Sequence, residues 1–198
     1  MSKEKTDKVT ILYPGGFKPL TGAHIELIEK YLAQPNVEKV VLFISPGKRD
    51  TVTADQAYTI AKHVLQDLPI EIVLDKNSYS PILAVYRWIE KAERDPGKYA
   101  LASSTKGNDY KRVKEFTENY QPDKFGKNLP KGVEIIELPV DPEPLNYPDG
   151  EPISATRARE ALQNEDYDSF KESYPVLKEE LVQFIYNTAQ DGRSSGTH

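Results

Sequence analysis

At 198 residues, with 38% hydrophobic and 29% charged residues, the chain has the composition of one globular domain with a full core. A formal charge of −5 argues against a nucleic-acid partner, and zero Cys excludes a disulfide scaffold, thiol catalysis and a thiolate metal site. The charged start, Met1 to Lys8, leads into no apolar run long enough for a signal peptide or a membrane span, so a cytoplasmic setting with no membrane partner is expected.

Taken in order, the chain alternates strand and helix signals. Val9 to Tyr13 is a β-rich run that stops at Pro14-Gly15-Gly16, and Gly22 to Ala33 is a helix with Ile25, Leu27, Ile28, Tyr31 and Leu32 on its apolar face. Lys39 to Ser45 is a continuous hydrophobic strand of the kind covered on both faces. Thr53 caps a helix to about Leu68, Ile70 to Leu74 is a third strand, Pro81 to Ala92 a helix holding the single Trp, and Tyr99 to Ser103 a fourth strand. Asp109 to Asn119 reads as helix, Gln121 to Gly132 as turn, and Val133 to Val140 as a fifth strand. Pro139 to Pro152 holds five Pro and is expected to run as a stiff, extended loop, a lid or a long connection. A helix from Ser154 and two more, Tyr167 to Ser173 and Val176 to Thr188, follow, and Asp191 to His198 reads as a flexible tail. This alternation implies right-handed crossovers and a doubly wound α/β fold on a five-stranded parallel sheet, with the C-terminal helices of 166–190 packed on the one domain, 1–190.

Two stretches carry chemistry. In Ile153-Ser154-Ala155-Thr156-Arg157-Ala158-Arg159, Ser154 sits where an N-cap belongs and Pro152 blocks backward extension, so a helix opens with two hydroxyls and two guanidinium groups beside free N–H groups. Arg in a first turn opposes the macrodipole, which calls for a compensating anion. The other stretch follows the first strand, where an open parallel sheet places its ligand crevice. It runs Pro14-Gly15-Gly16-Phe17-Lys18-Pro19-Leu20-Thr21-Gly22-Ala23-His24: paired Gly allow close backbone approach to a phosphate, and Thr21 and His24 flank a helix start. It is neither a P-loop nor a dinucleotide Gly-x-Gly-x-x-Gly fingerprint.

Together the two stretches resemble the nucleotidyltransferase superfamily with the His-x-Gly-His or Thr-x-Gly-His signature, which includes nicotinamide-mononucleotide and pantetheine-phosphate adenylyltransferases and several cytidylyltransferases. The pattern Gly-x-Phe-Asp-Pro-x-Thr-x-Gly-His is met by Gly15, Phe17, Pro19, Thr21 and His24, and Ile-Ser-Ser/Ala-Thr-x-x-Arg by Ile153, Ser154, Thr156 and Arg159. Lys18 stands in the place of the usual Asp and Ala23 in that of the signature Gly. The resemblance covers residues 8 to 163 in layout and implies a single Rossmann-like nucleotidyltransferase domain. It also implies in-line attack of an acceptor oxygen on the α-phosphorus of a nucleoside triphosphate, with Mg²⁺ on the phosphate oxygens and no metal site built from protein ligands. By the same resemblance His24, Thr21, Lys18 and Arg159 are the catalytic candidates. Gly15, Gly16, Phe17, Thr21, His24, Ile153, Ser154, Thr156 and Arg159 are the nucleotide-binding ones.

The ending Ile-Ser-Ala-Thr and the Thr-type first signature resemble the adenylyl branch, so AMP transfer from ATP to a phosphate-bearing acceptor such as nicotinamide mononucleotide is the expected activity. CTP-dependent transfer and a non-catalytic nucleotide-binding domain of the same fold stay open, as does a homo-oligomer. Lys48, in the turn after the second strand, is a candidate for the acceptor phosphate; Asp109, after the fourth, is a candidate acceptor contact or a plain helix cap. Tyr79, Trp88 and Tyr147 are candidates for stacking on a base or simply for packing.

Overall fold

The computed structural model describes residues 8–78, 80–105, 107–120 and 129–196, the last six by backbone alone; Tyr79, most of the expected turn at 121–132, the chain start and the last two residues lie outside it. Five strands form one sheet: β1 (Val9–Gly15), β2 (Val37–Ile44), β3 (Ile70–Leu74), β4 (Gly97–Leu101) and β5 (Val133–Ile136). All pairings are parallel, in the order β3-β2-β1-β4-β5, with Leu12 of β1 opposite Val41 of β2 and Leu101 of β4. The strand order reverses between β1 and β4, which puts a crevice beyond their carboxyl ends.

The helices are α1 (Gly22–Leu32), α2 (Ala54–Val64), α3 (Pro81–Ile89), α4 (Gly107–Asn119), α5 (Ala155–Gln163), α6 (Tyr167–Lys171) and α7 (Glu179–Gly196). Alternate strand residues feed two cores. Ile11, Val40, Leu42 and Ala100 face α1, α2 and the C-terminal helices through Ile28, Ile60, Leu162, Phe170 and Ile185. Leu12, Val41, Phe43 and Leu101 face α3 and α4 through Val85, Trp88, Val113 and Phe116. The sandwich is three layers, helix-sheet-helix, and each fully buried aliphatic side chain in it contributes about 1.5–3 kcal/mol. No helix among the described residues is long and apolar enough to cross a membrane.

Most starts match the sequence expectation because their caps are local. Thr53 and Gln56 form a capping box, Ser80 caps α3 with Pro81 at its first position, and Ser154 caps α5. Ends differ more. β5 stops at Ile136 rather than Val140, since the proline-bearing stretch beyond cannot sustain a ladder, and α7 opens at Glu179 and runs on to Gly196. The Pro139–Pro152 stretch does not stay extended. Its second half doubles back as a small hairpin in which Tyr147 N–H donates to Glu151 O at 2.8 Å and Ile153 N–H to Leu145 O at 3.1 Å.

The C-terminal helices hold the β1–α1 loop from behind. Tyr174 Oη donates to Leu20 O at 2.5 Å, and Gly22 N–H donates to Ser173 O at 2.9 Å. A Cβ on Gly22 would stand 2.8 Å from that Ser173 oxygen, whereas a Cβ on Gly47 would meet nothing within 4 Å. Gly22→Ala is therefore expected to lower the unfolding free energy by about 1–3 kcal/mol, and Gly47→Ala to change it by under about 0.5 kcal/mol. Urea unfolding of both variants checks this contrast.

Candidate active site

Thr21 and His24 interlock at the start of α1. His24 N–H donates to Thr21 Oγ1 at 3.5 Å, and Thr21 N–H donates to His24 Nδ1 at 2.9 Å, so a histidine takes the place that Glu or Gln fills in the usual capping box. An Nδ1 that accepts carries no proton, so neutral His24 carries it on Nε2 and keeps that N–H as a donor. Burial pushes the imidazole pKa down to about 4, which leaves the ring neutral at pH 7. Phe17 sets the ring's position: its own ring stands edge-on to His24 and to Tyr13, with centroids 5.0 Å apart in each case. Phe17 holds a left-handed φ of 51° to do so, a strained backbone for a bulky residue. Gly15 makes the room, since a Cβ there would lie 3.0 Å from Phe17 Cζ.

Lys18 turns inward. Its fully buried ammonium donates to Ser45 O at 2.7 Å and to Ser45 Oγ at 2.6 Å, tying the β1–α1 loop to the end of β2. Burial, with Arg49 and Arg159 nearby, pushes its pKa down to about 8, so the group is mainly charged at neutral pH. Arg159 reaches across from α5: Nη1 donates to Lys18 O at 2.9 Å, Nη2 to Thr156 Oγ1 at 3.3 Å, and Nε pairs with Asp50 Oδ2 at 2.7 Å. Residues 141 positions apart in sequence thus meet through one guanidinium. Arg49 and Arg159 thus add positive charge beside the buried Lys18, and Asp50 pairs with Arg159, an excess of cationic groups that suits an anion.

The rest of the α5 start is braced rather than open. Ser154 Oγ accepts from Arg157 N–H at 3.2 Å. Arg157 pairs with Asp149 at 2.8 Å and lies over the Tyr147 ring at 3.9 Å. The anion that the two Arg called for is supplied, in both cases, by a carboxylate of the chain itself, Asp149 for Arg157 and Asp50 for Arg159. The Tyr147 hydroxyl is buried and shares a 2.6 Å bond with Ser173, so this ring packs rather than stacks on a base.

No family model matches the chain. It is 35% identical over 63 residues to the phosphopantetheine adenylyltransferase of Alkalilimnicola ehrlichii and 38% identical over 61 residues to that of Tolumonas auensis. Each match takes in 31% or 30% of this chain, and spans about a third of the relative's own length, 36% in both. A solved structure of Plasmodium falciparum nicotinic acid mononucleotide adenylyltransferase complexed with APC superposes with a TM-score of 0.52, covering 92% of this chain and 98% of that one at 17% identity. That likeness establishes the shared fold, and the crossing of Arg159 onto Lys18 joins the two signature stretches within it. The chain thus shares the fold of a nucleotidyltransferase and, over about a third of its length, resembles two phosphopantetheine adenylyltransferases.

Gly15 ends β1 and Gly16, Lys18, Thr21 and His24 follow it, Lys18 ties that loop to Ser45 beyond β2, and Arg159 brings Thr156 of α5 to it; Ser154 caps the same helix. Phe17 and Ile153 have buried side chains, that of Phe17 packed against His24. Lys48 is exposed on the turn after β2. Asp109 lies inside the first turn of α4, not at a cap, close enough to the Tyr13 and Tyr31 hydroxyls to raise both their pKa values alongside burial, Tyr31 to about 12. Trp88 is buried between Phe43 and Tyr99 under the Arg94 guanidinium. Sequence reasoning passed over Asp50, Tyr13 and Tyr31, whose hydroxyl both accepts from Ser103 N–H at 2.8 Å and donates to Ser103 O at 3.0 Å, fixing α1 to the end of β4. Nothing local to Asp50 marks it in the sequence except its step into a left-handed φ of 53°, which many polar residues could adopt. A cavity of about 140 Å³ lies at the opposite end of the sheet, where Lys8, Lys39, Arg94 and Lys98 mix with Glu38 and Asp95, away from this chemistry.

His24 is expected to titrate near pH 4 instead of its ordinary 6.5. Between those values the unfolded chain binds the proton and the folded one does not, so the His24 contribution to stability is fully present above about pH 6.5 and is lost as pH falls through 4. An NMR titration of the imidazole, assigned with His24→Gln, checks the midpoint; a value between 6 and 7 would contradict the site as described.

Proposed function

We propose that the chain is an adenylyltransferase that moves AMP from ATP onto a phosphate-bearing acceptor and releases pyrophosphate. The observation that carries this reading is the Arg159 guanidinium, bonded to Lys18 O and to Thr156 Oγ1, with the Lys18 and Arg49 charges within electrostatic reach of one another. The preference for adenylyl over cytidylyl transfer draws support from the two bacterial relatives, both named phosphopantetheine adenylyltransferases, and from the name of the structural neighbour.

On this reading the chain's own groups act as follows. Arg159, Thr156 and Ser154 grip the β- and γ-phosphates at the opening of α5, where the dipole also favours negative charge. Thr21 holds the phosphate chain, and the half-buried Gly15-Gly16 lets backbone come close. His24 donates from Nε2 to a non-bridging oxygen of the α-phosphate. Because the ring is neutral and pinned through Nδ1, this donor is preorganised and needs no proton transfer as charge builds on the pentacoordinate phosphorus. Lys18 contributes a fixed positive charge from behind the loop, and Lys48 meets the acceptor phosphate. Mg²⁺ would come with the triphosphate and would supply charge neutralisation on it. The setting we expect is the cytoplasm, with the acceptor drawn from small phosphorylated molecules; pantetheine phosphate and nicotinamide mononucleotide are the first two to try.

Pyrophosphate release with Mg²⁺, ATP or CTP, and these acceptors is expected to show turnover with ATP and one acceptor. His24→Ala is expected to lower kcat about 10²–10³-fold, the usual loss for one preorganised donor to the transition state. Turnover with CTP alone would move the reading to the cytidylyl branch. Silence with every pair, while calorimetry still shows triphosphate binding, would replace it with a nucleotide-binding domain.

A further inference from the structure

Arg159 cannot give the same N–H to a phosphate and to Asp50, and in this structure Asp50 has it. The carboxylate sits 2.7 Å from Arg159 Nε, on a side chain 46% exposed, while the guanidinium partner is 14% exposed. Asp50 rides a tight turn closed by Arg49 N–H to Val52 O at 3.0 Å and Val52 N–H to Arg49 O at 2.9 Å, and it alone on that turn takes a left-handed φ, 53°. Asp is one of the residues that tolerates that backbone, and there its carboxylate reaches Arg159. The turn is at the surface, so the carboxylate can leave Arg159 without disturbing the core, whereas Lys18 and Arg159 are anchored to the main chain on either side. Lys18, buried behind the loop, and Arg49 are electrostatically coupled to this region, so a polyanion arriving at Arg159 finds added positive charge and one carboxylate that competes with it.

We propose that Asp50 is a tethered competitor for Arg159: it neutralises the guanidinium while no phosphate is bound, yields to the triphosphate, and re-pairs to weaken the hold on departing pyrophosphate. This rests on the nucleotidyltransfer reading for its substrate but not for its test, which needs only an inorganic anion. Coulomb's law sets the direction: removing a negative charge beside a bound polyanion strengthens the binding, most of all when that charge occupied a donor the anion wants.

The experiment is calorimetric titration of the full chain with inorganic pyrophosphate. Asp50→Asn keeps a residue that tolerates the left-handed backbone and removes only the charge. It is expected to bind pyrophosphate about tenfold tighter than the unmodified chain, and stopped-flow release should slow in proportion. The gain should vanish when Arg159→Met is added, and Asp149→Asn, which frees Arg157 instead, should stay within about twofold of the unmodified chain. If Asp50→Asn proves unfolded by circular dichroism, Asp50→Gly, which also accepts the turn, serves in its place. Equal or weaker pyrophosphate binding in the variant, a gain that survives in the Arg159→Met background, or no pyrophosphate binding in any chain overturns the proposal. Absence of turnover with every acceptor would overturn the enzyme reading while leaving these binding results to stand by themselves.

Discussion

The structure hangs on the Arg159 guanidinium. A charged group 14% exposed must be matched by hydrogen bonds on most of its donors or its burial costs several kcal/mol, and here the partners come from three separate places in the fold: the Lys18 carbonyl after β1, the Asp50 carboxylate after β2 and the Thr156 hydroxyl on its own helix. Satisfying that one group ties the start of α5, with Thr156, to the loop that carries Thr21 and His24. An Arg→Lys exchange would not preserve this, because an ammonium cannot reach three partners in a planar fork.

Around that junction the site is built from core packing. Phe17 accepts a strained backbone to wedge its ring between Tyr13 and His24, Gly15 gives it room, and the C-terminal segment at Ser173 and Tyr174 clamps the loop through Gly22 and Leu20. These devices limit the motion of the imidazole and leave its Nε2 proton as a fixed donor, which is what stabilising a developing oxyanion requires. The segment at Ser173 and Tyr174 therefore acts on His24 indirectly, by holding the loop that carries it.

The sheet and helix starts were legible because each depends on neighbours within a few residues: alternating or continuous apolar runs for β2 and β3, Thr53 with Gln56 for α2, Ser154 after Pro152 for α5. The two signature stretches were legible for the same reason. What the sequence withheld depends on contacts across the fold. Lys18 read as a cation beside the phosphates, yet its ammonium is spent on Ser45, a residue that no local pattern links to it. The two Arg at the α5 start call for anions, and the fold supplies carboxylates of the chain, Asp149 eight residues from Arg157 and Asp50 109 residues from Arg159. The proline-rich stretch read as stiff and extended, and only the tertiary placement of Tyr147 under Arg157 shows why it turns back at Asp149-Gly150.

The central claim is that one guanidinium joins two distant stretches into a single triphosphate site. The most direct test is calorimetric binding of the non-hydrolysable α,β-methylene analogue of ATP, with Mg²⁺, to the unmodified chain and to Arg159→Met, with thermal melting to confirm that the variant is folded. The account predicts a loss of about a hundredfold in affinity, in line with removing one charged partner from a mostly buried pair, and a shallower dependence on salt. Equal affinity in a folded variant would contradict it, and would mean that Arg159 is a brace between elements and nothing more.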